Sequence, residues 1–278
     1  MTIHLDNYEG SLRSTGSTRN LYLSYAKRFL DFASGRELDR KAVEDYLKVL
    51  RKQGYSDGTI NFTFRVIKRV YDCNGIPWTF RRGEAPQIRE SEVFAPALDP
   101  EDIGEMITAK DKLTPQERAF LALSTTYGLR RTELASISPS DLDFNTNTVF
   151  IMTAHRGRQR YHIIPPEIKP YLEDYNFASM NQFEASTVFL SIEDKAGLQH
   201  IDGVGWHAIR RTVDTLLLDK LPEATVADFM RWKSRGIMPQ RYYATRFVGR
   251  KGGIVLSKES RSVDEKVFEV HPFLPYWR

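Results

Sequence analysis

Apolar residues recur three and four positions apart through most of the chain, the spacing of one helix face. Tyr22, Tyr25, Ala26, Phe29 and Ala33 share such a face, with Ser17 and Thr18 as candidate caps and Gly35 as a stop. Val43, Tyr46, Leu47 and Leu50 mark a second helix, entered at Asp39 and ended at Gly54. Ile60, Phe64, Ile67 and Tyr71 mark a third, whose other face carries Arg65, Lys68 and Arg69. The pattern then lapses. Residues 76–100 hold four prolines, mixed charges and no sustained period, which reads as a linker.

Helical spacing resumes at Asp99, a cap followed by proline at the first helical position. Thr114, Pro115 and Glu117 form the signature of a second capped entry, and that helix runs through Phe120, Leu121 and Leu123 to Gly128. Only "NTVFIM" and "RYHIIP" alternate like strands, and the arginine-rich run between them reads as a hairpin connection. Helices follow from Pro166, around "GVGWHAIRRTVDTLLLDKL" and at "EATVADFMRWK". The expected fold class is mainly α (α+β): a helical domain over 1–80, a linker over 81–97, and a larger, mostly helical domain over 98–278 with a small antiparallel sheet and a C-terminal tail.

Composition narrows the class of protein. Apolar residues make up 41% and charged residues 27%, which fits a folded globular chain rather than a disordered one. No run of about 18 apolar residues exists to span a membrane, and the N-terminus lacks the apolar core of a signal peptide. The single cysteine, Cys73, rules out an internal disulfide and a cysteine-built zinc site. No acidic cluster has metal-ligand spacing, so no metal or other cofactor is expected. The net charge is +4, unevenly placed: residues 1–90 carry 16 basic and 11 acidic side chains, and the remainder 24 and 25. An excess of positive charge on the first domain suits a polyanion, since phosphate neutralisation drives non-specific nucleic-acid binding.

Three separated segments carry residues suited to phosphate chemistry. "YGLRRTEL" puts Arg130 and Arg131 at a helix entry, where the helix dipole disfavours a cation unless an anion is bound there. "WHAIRRT" places His207 and Arg210 three apart, on one helical face. "MRWKSRGIMPQRYYAT" sets Trp232 ahead of Tyr242 and Tyr243. Each has a plainer reading alone: arginines solvate, a lone histidine on a helix is commonly structural, and adjacent tyrosines commonly pack. Together they supply two guanidiniums to fork a phosphodiester, an imidazole to move a proton and a phenol to act as nucleophile.

In order and spacing these segments resemble the tyrosine recombinase (phage integrase) family. Its first box, Gly-Leu-Arg-x-Ser/Thr-Glu-Leu, is matched by "GLRRTEL"; its second, His-x-Leu-Arg-His-Thr, by "HAIRRT"; its third, Leu-Gly-His with a tyrosine further on, only loosely by "MRW" and "RYY". Residues 17–71 look like the family's four-helix-like core-binding domain, and "ALDPEDIGEMI" like the entry to its catalytic domain. The resemblance implies a site-specific recombinase or integrase that cleaves DNA through a 3′-phosphotyrosyl intermediate, with no metal or ATP. It implies that Arg130 and Arg210 hold the scissile phosphate, that His207 is acid/base, that Glu133 supports them, and that Tyr243, or Tyr242, attacks. Arg65, Lys68, Arg69, Arg131 and Arg158 are candidate DNA contacts. The implied partners are double-stranded DNA and further copies of the chain, four on DNA and one when free, with no membrane. The implied location is the cytoplasm, at the nucleoid, or a host cytoplasm for a virus- or plasmid-encoded protein.

Two departures stand out. Trp232 occupies the place where most members have histidine, and its indole N–H can still donate to a phosphate oxygen. The hairpin position that carries a proton-donating lysine in the family is Arg160, a poor general acid. This leaves Arg160 as an electrostatic phosphate contact and His155, His162, Lys195, Lys233 or water as proton sources. It also leaves open a DNA-binding relative with impaired cleavage, or a DNA-relaxing enzyme of the type IB topoisomerase kind. The apolar C-terminal "VDEKVFEVHPFLPYWR" packs on its own domain in the plainer reading; the resemblance implies docking into a neighbouring copy.

Overall fold

In the computed structural model, residues 5–14, 16–87, 97–153, 159–178, 180–232, 246–248, 254–256 and 258–278 are described. The chain divides into two compact units, residues 1–94 and 95–278.

The first unit contains α1 (Leu5–Ser11), α2 (Gly16–Ala33), α3 (Arg40–Lys52) and α4 (Asp57–Cys73). The apolar faces seen in the sequence form its core, where Phe29, Val43, Ile60 and Ile67 are essentially sealed from solvent. Helix α3 starts where expected, with the Asp39 carboxylate accepting from the Ala42 N–H at 2.9 Å. Helix α2 starts one residue before Ser17, so the sequence placed its entry slightly late. The first unit also extends further than the periodicity suggested. Trp78 packs edge-on against Phe64 and Tyr71, and Asn61 donates to the Pro86 carbonyl at 2.6 Å. Residues 81–87, read above as linker, therefore belong to this unit.

The second unit is built around α6 (Pro115–Tyr127), which is buried on every side from Ala119 onward. An all-round apolar helix has no amphipathic stripe to read. Thr114 and Glu117 cap it reciprocally, and Gly128 ends it in the left-handed region at φ 57°. Around it lie α5 (Pro100–Thr108), α7 (Arg131–Ser136), α8 (Lys169–Glu173), α9 (Gln182–Ala196), α10 (Trp206–Leu218), α11 (Glu223–Phe229) and α12 (Lys258–Val270). Strands β1 (Leu142–Asp143), β2 (Thr148–Ile151) and β3 (Arg160–Ile163) form one antiparallel sheet, with Val149 opposite His162 and Ile151 opposite Arg160. This is the expected hairpin with one unforeseen edge strand. A second pair, β4 (Arg246–Val248) and β5 (Ile254–Leu256), and helix α9 are additions to the sequence reading.

Within this unit the C-terminal tail follows the plainer reading. Phe273, Leu274 and Trp277 are buried in the unit's own core. The Trp277 indole donates to the Thr125 hydroxyl at 3.1 Å, and His271 lies 3.0 Å from the Thr126 carbonyl.

Gly128 illustrates how tightly the α6–α7 corner is set. A Cβ added there would lie 2.2 Å from the Met230 methyl and 3.4 Å from Arg210 Cγ. Gly128→Ala is expected to destabilise the protein by about 1–3 kcal/mol, from left-handed strain and displaced packing. The check is a fall in the urea unfolding midpoint with an unchanged slope.

Candidate active site

The corner after Gly128 delivers Arg130 to the start of α7. Its backbone N–H donates to Glu133 Oε2 at 2.9 Å, and its Nη1 donates to Glu133 Oε1 at 2.7 Å. Glu133 is fully buried, whereas the Arg130 side chain keeps 26% of its surface exposed. The carboxylate at the third helical position thus offsets the cation at the helix entry. Burial pushes the Glu133 carboxyl up; the charges of Arg231 and Arg130 and the bonds from Arg130 outweigh it, leaving the pKa below the ordinary glutamate value.

Helix α10 carries the second guanidinium. Its first residue, Trp206, anchors it to α9 through an indole bond to the Ala185 carbonyl at 2.6 Å. Arg210 is buried, with Nη1 donating to the Gly128 carbonyl at 2.5 Å and Nη2 to the Met230 carbonyl at 2.8 Å. Two fixed acceptors set the plane of the fork. Asp214, one turn on, lies 3.8 Å from Arg210 Nε; burial raises its pKa to about 6 despite the neighbouring arginines. His207, one turn before Arg210, is exposed. Partial burial and then the charges of Arg211, Arg210 and Arg130 lower its pKa, which favours the neutral imidazole at pH 7. Arg130 and His207 line one cavity of about 600 Å³, together with Arg131, His200 and Trp206. The structure therefore brings Arg130, Glu133, His207 and Arg210 to one place.

Arg160 differs from the expectation. Strand alternation turns it and His162 to the same face of β3, and that face meets α12. Its guanidinium is buried, donating from Nη1 to Asp228 and from Nη2 to Asp264 at 2.8 Å. It is an interior ion-paired group rather than an open phosphate contact. His162 is sealed between Asp264, 3.2 Å from Nδ1, and Arg231, 3.1 Å from Nε2. Burial carries its pKa down to about 4, so it has neither the access nor the proton expected of a donor. Lys195 is likewise engaged, bonding both Glu117 oxygens at 2.6 and 2.8 Å.

The remaining candidates are spread more widely. Trp232 is half-buried against the main core. Arg131 is exposed and reaches Ser186 Oγ at 3.1 Å. In the first unit Arg65, Lys68 and Arg69 are exposed on α4; Lys68 pairs with Asp72 at 2.6 Å and Arg69 with Ser11. Arg158, Tyr242, Tyr243, His155 and Lys233 lie outside the described residues. Among the described residues, no three histidine, cysteine or acidic side chains are grouped to hold a metal ion, and no helix is long and apolar enough to cross a membrane.

Sequence reading passed over Arg231, which is wholly buried and bonded to Glu133, and Asp264, which gathers β3 to α12. One signal for Arg231 existed. In "MRW" an arginine stands where the resembling motif has glycine, the residue that most readily takes positive φ, and Arg231 has φ 59°.

In this mostly helical unit Arg130 and His207 line one cavity, and buried Arg210 stands one turn along α10 from His207. The family model for the phage integrase family matches residues 96–247, more than half of the chain, and the chain belongs to that family. It is 24% identical over 176 residues to tyrosine recombinase XerA of Thermococcus onnurineus (strain NA1), covering 61% of each protein. It thus spans about three fifths of the length of that curated relative. The fold is shared with lambda integrase residues 75–356 bound to DNA, at TM-score 0.66 and 18% identity over 86% of this chain and 95% of that one. It is shared too with a lambda integrase tetramer bound to a Holliday junction, at TM-score 0.62 and 15% identity over 83% and 74%.

Proposed function

We propose that this protein is a site-specific recombinase or integrase that cuts and rejoins duplex DNA through a phosphotyrosyl intermediate. The observation that carries the reading is that Arg130 and His207 line one cavity, with Arg210 one turn along α10 from His207 and oriented by the Gly128 and Met230 carbonyls. In this reading the arginines bind the non-bridging oxygens of the scissile phosphate and stabilise the added charge of the pentacovalent transition state. The phenol oxygen of Tyr243, or Tyr242, attacks phosphorus and the bond to the 5′-oxygen breaks. The phenolic proton passes to a base, for which neutral His207 is suited, and the leaving oxygen takes a proton from another donor. Since Arg160, His162 and Lys195 are occupied internally, His155, Lys233 and water are the remaining donors. Attack by a 5′-hydroxyl of a second duplex reverses the step, and neither metal nor ATP is needed.

Arg131 and the exposed α4 face, Arg65, Lys68 and Arg69, would contact the DNA backbone, with Arg158 added from the hairpin. The tetramer recorded for lambda integrase supports assembly of four copies on DNA. The role of residues 1–80 as a DNA-clamping domain belongs to the same proposal, as does action in the cytoplasm.

The test uses nicked duplexes selected for binding to the full chain. A covalent protein–DNA adduct on a denaturing gel is expected, absent in Tyr243→Phe and retained in Tyr242→Phe. Loss only in Tyr242→Phe would reassign the nucleophile. Binding without any adduct would overturn the proposed chemistry.

A further inference from the structure

A continuous set of polar contacts runs from α12 to Arg130, and Arg231 is its centre. Asp264 holds His162, His162 meets Arg231 Nη1 at 3.1 Å, Arg231 Nη2 lies 3.4 Å from Glu133 Oε2, and Glu133 holds Arg130. We propose that Arg231 is a positioning residue of the phosphate site: it keeps the buried Glu133 carboxylate charged and in place, and Glu133 in turn fixes the Arg130 guanidinium. The purpose of this device rests on the proposed function; its geometry does not.

Three observations carry it. Arg231 has φ 59°, and among the described residues the one other non-glycine residue with positive φ is Asn147, a type that tolerates it. A glycine would adopt this backbone without penalty, so the arginine side chain must contribute something that offsets the strain. Second, the side chain is fully buried and its fork is directed inward. Nη1 also donates to the Phe229 carbonyl at 3.2 Å and Nη2 to the Tyr127 carbonyl at 3.1 Å, at the end of α6. Third, Glu133 has no solvent to fall back on. An arriving phosphate competes with Glu133 for the Arg130 fork, and a carboxylate with a single cation would then be left buried and uncompensated. Arg231 is the second cation, out of reach of solvent, that remains with Glu133 while Arg130 turns to its ligand. The depressed Glu133 pKa, opposed by burial and maintained first by Arg231 and then by Arg130, agrees with this division.

The experiment reads the link without DNA. In the full chain carrying isotope-labelled arginine and glutamate, NMR follows the Glu133 carboxyl titration and the order of the Arg130 Nε–H bond. In Arg231→Met the proton affinity of Glu133 is expected to rise roughly tenfold or more, as on loss of an adjacent opposite charge. The Arg130 order parameter should fall below about 0.6, the flexible range. A folded Arg231→Met protein in which either quantity keeps its wild-type value overturns the proposal. Arg231→Lys retains the charge but not the fork; it is expected to keep the Glu133 titration near wild type while loosening Arg130. If Arg231→Met does not fold, the Lys variant decides, and an unchanged Arg130 order parameter there overturns the proposal. Sulfate titration, compared with Arg130→Ala, separately tests whether the site takes an oxyanion. Absence of sulfate binding in the wild type would count against the function and leave the Arg231 result standing.

Discussion

Arg210→Ala is expected to lower the single-turnover rate of strand cleavage by about 10²–10³-fold, the effect of losing one preorganised donor to a developing oxyanion. Duplex binding should fall far less, because many phosphates share the binding energy and one does the chemistry. The measurement is the rate of covalent adduct formation on a nicked duplex with enzyme in excess. Arg210→Lys should not restore the rate. The arginine fork is held by the Gly128 and Met230 carbonyls through two separate nitrogens, and the single nitrogen of a lysine reproduces neither their spacing nor the plane of the fork. Removing the guanidinium also leaves two buried carbonyls without a donor, at about 1–3 kcal/mol each. The cleavage rate must therefore be compared at a temperature where circular dichroism shows the variant folded. An Arg210→Ala protein that cleaves at the wild-type rate would remove Arg210 from the site.

The second large effect concerns stability. Asp264→Ala should cost about 3–5 kcal/mol, the range for breaking a buried ion pair by removing one partner. Asp264 accepts from Arg160 Nη2 and the Ile163 N–H, each at 2.8 Å, and lies 3.2 Å from His162 Nδ1. Both Asp264 and His162 are sealed from solvent. Asp264→Asn should be milder, since an amide oxygen can still accept one of the three bonds while the charge is lost. Urea unfolding gives the answer: a lower midpoint with an unchanged slope for both variants, larger for alanine. A change under about 1 kcal/mol in Asp264→Ala would show that the α12–β3 contact is not held by this carboxylate.

The residues that could be read from sequence were those whose position in a helix is itself informative. Asp99, Thr114 and Gly128 are helix-end residues with local mechanisms, and the structure has helix ends at each. Arg130 with Glu133 is a helix-entry pair of the capping-box kind, and His207 with Arg210 is a pair at i and i+3 within one helix, so local geometry puts each pair together. Long-range partners left no such trace. Nothing in the sequence near Arg160 tells that Asp264, over a hundred positions away, will enclose it, so an interior ion pair was read as an open phosphate contact. Arg231 is invisible to periodicity because a single buried arginine at positive φ breaks both the polarity rule and the backbone rule at once. Strands β4 and β5 are three residues each, too short for alternation to register. Helix α9 alternates small, polar and apolar residues without a clean stripe.

The positive charges gathered around Glu133 outnumber the ionised carboxylates there. Arg130, Arg210 and Arg231 stand beside one ionised carboxylate, Glu133, and beside Asp214, whose carboxyl is pushed up to about 6 and so carries its charge only partially in mildly acid solution. Burial first, and then repulsion from neighbouring guanidiniums including Arg130, lowers the pKa of both Arg210 and Arg231, in a place where burial weakens screening. Under the proposed function a phosphodiester would relieve that repulsion whatever bases flank it. The site would then respond to backbone charge and not to base identity, which leaves the choice of target to surfaces that meet the grooves.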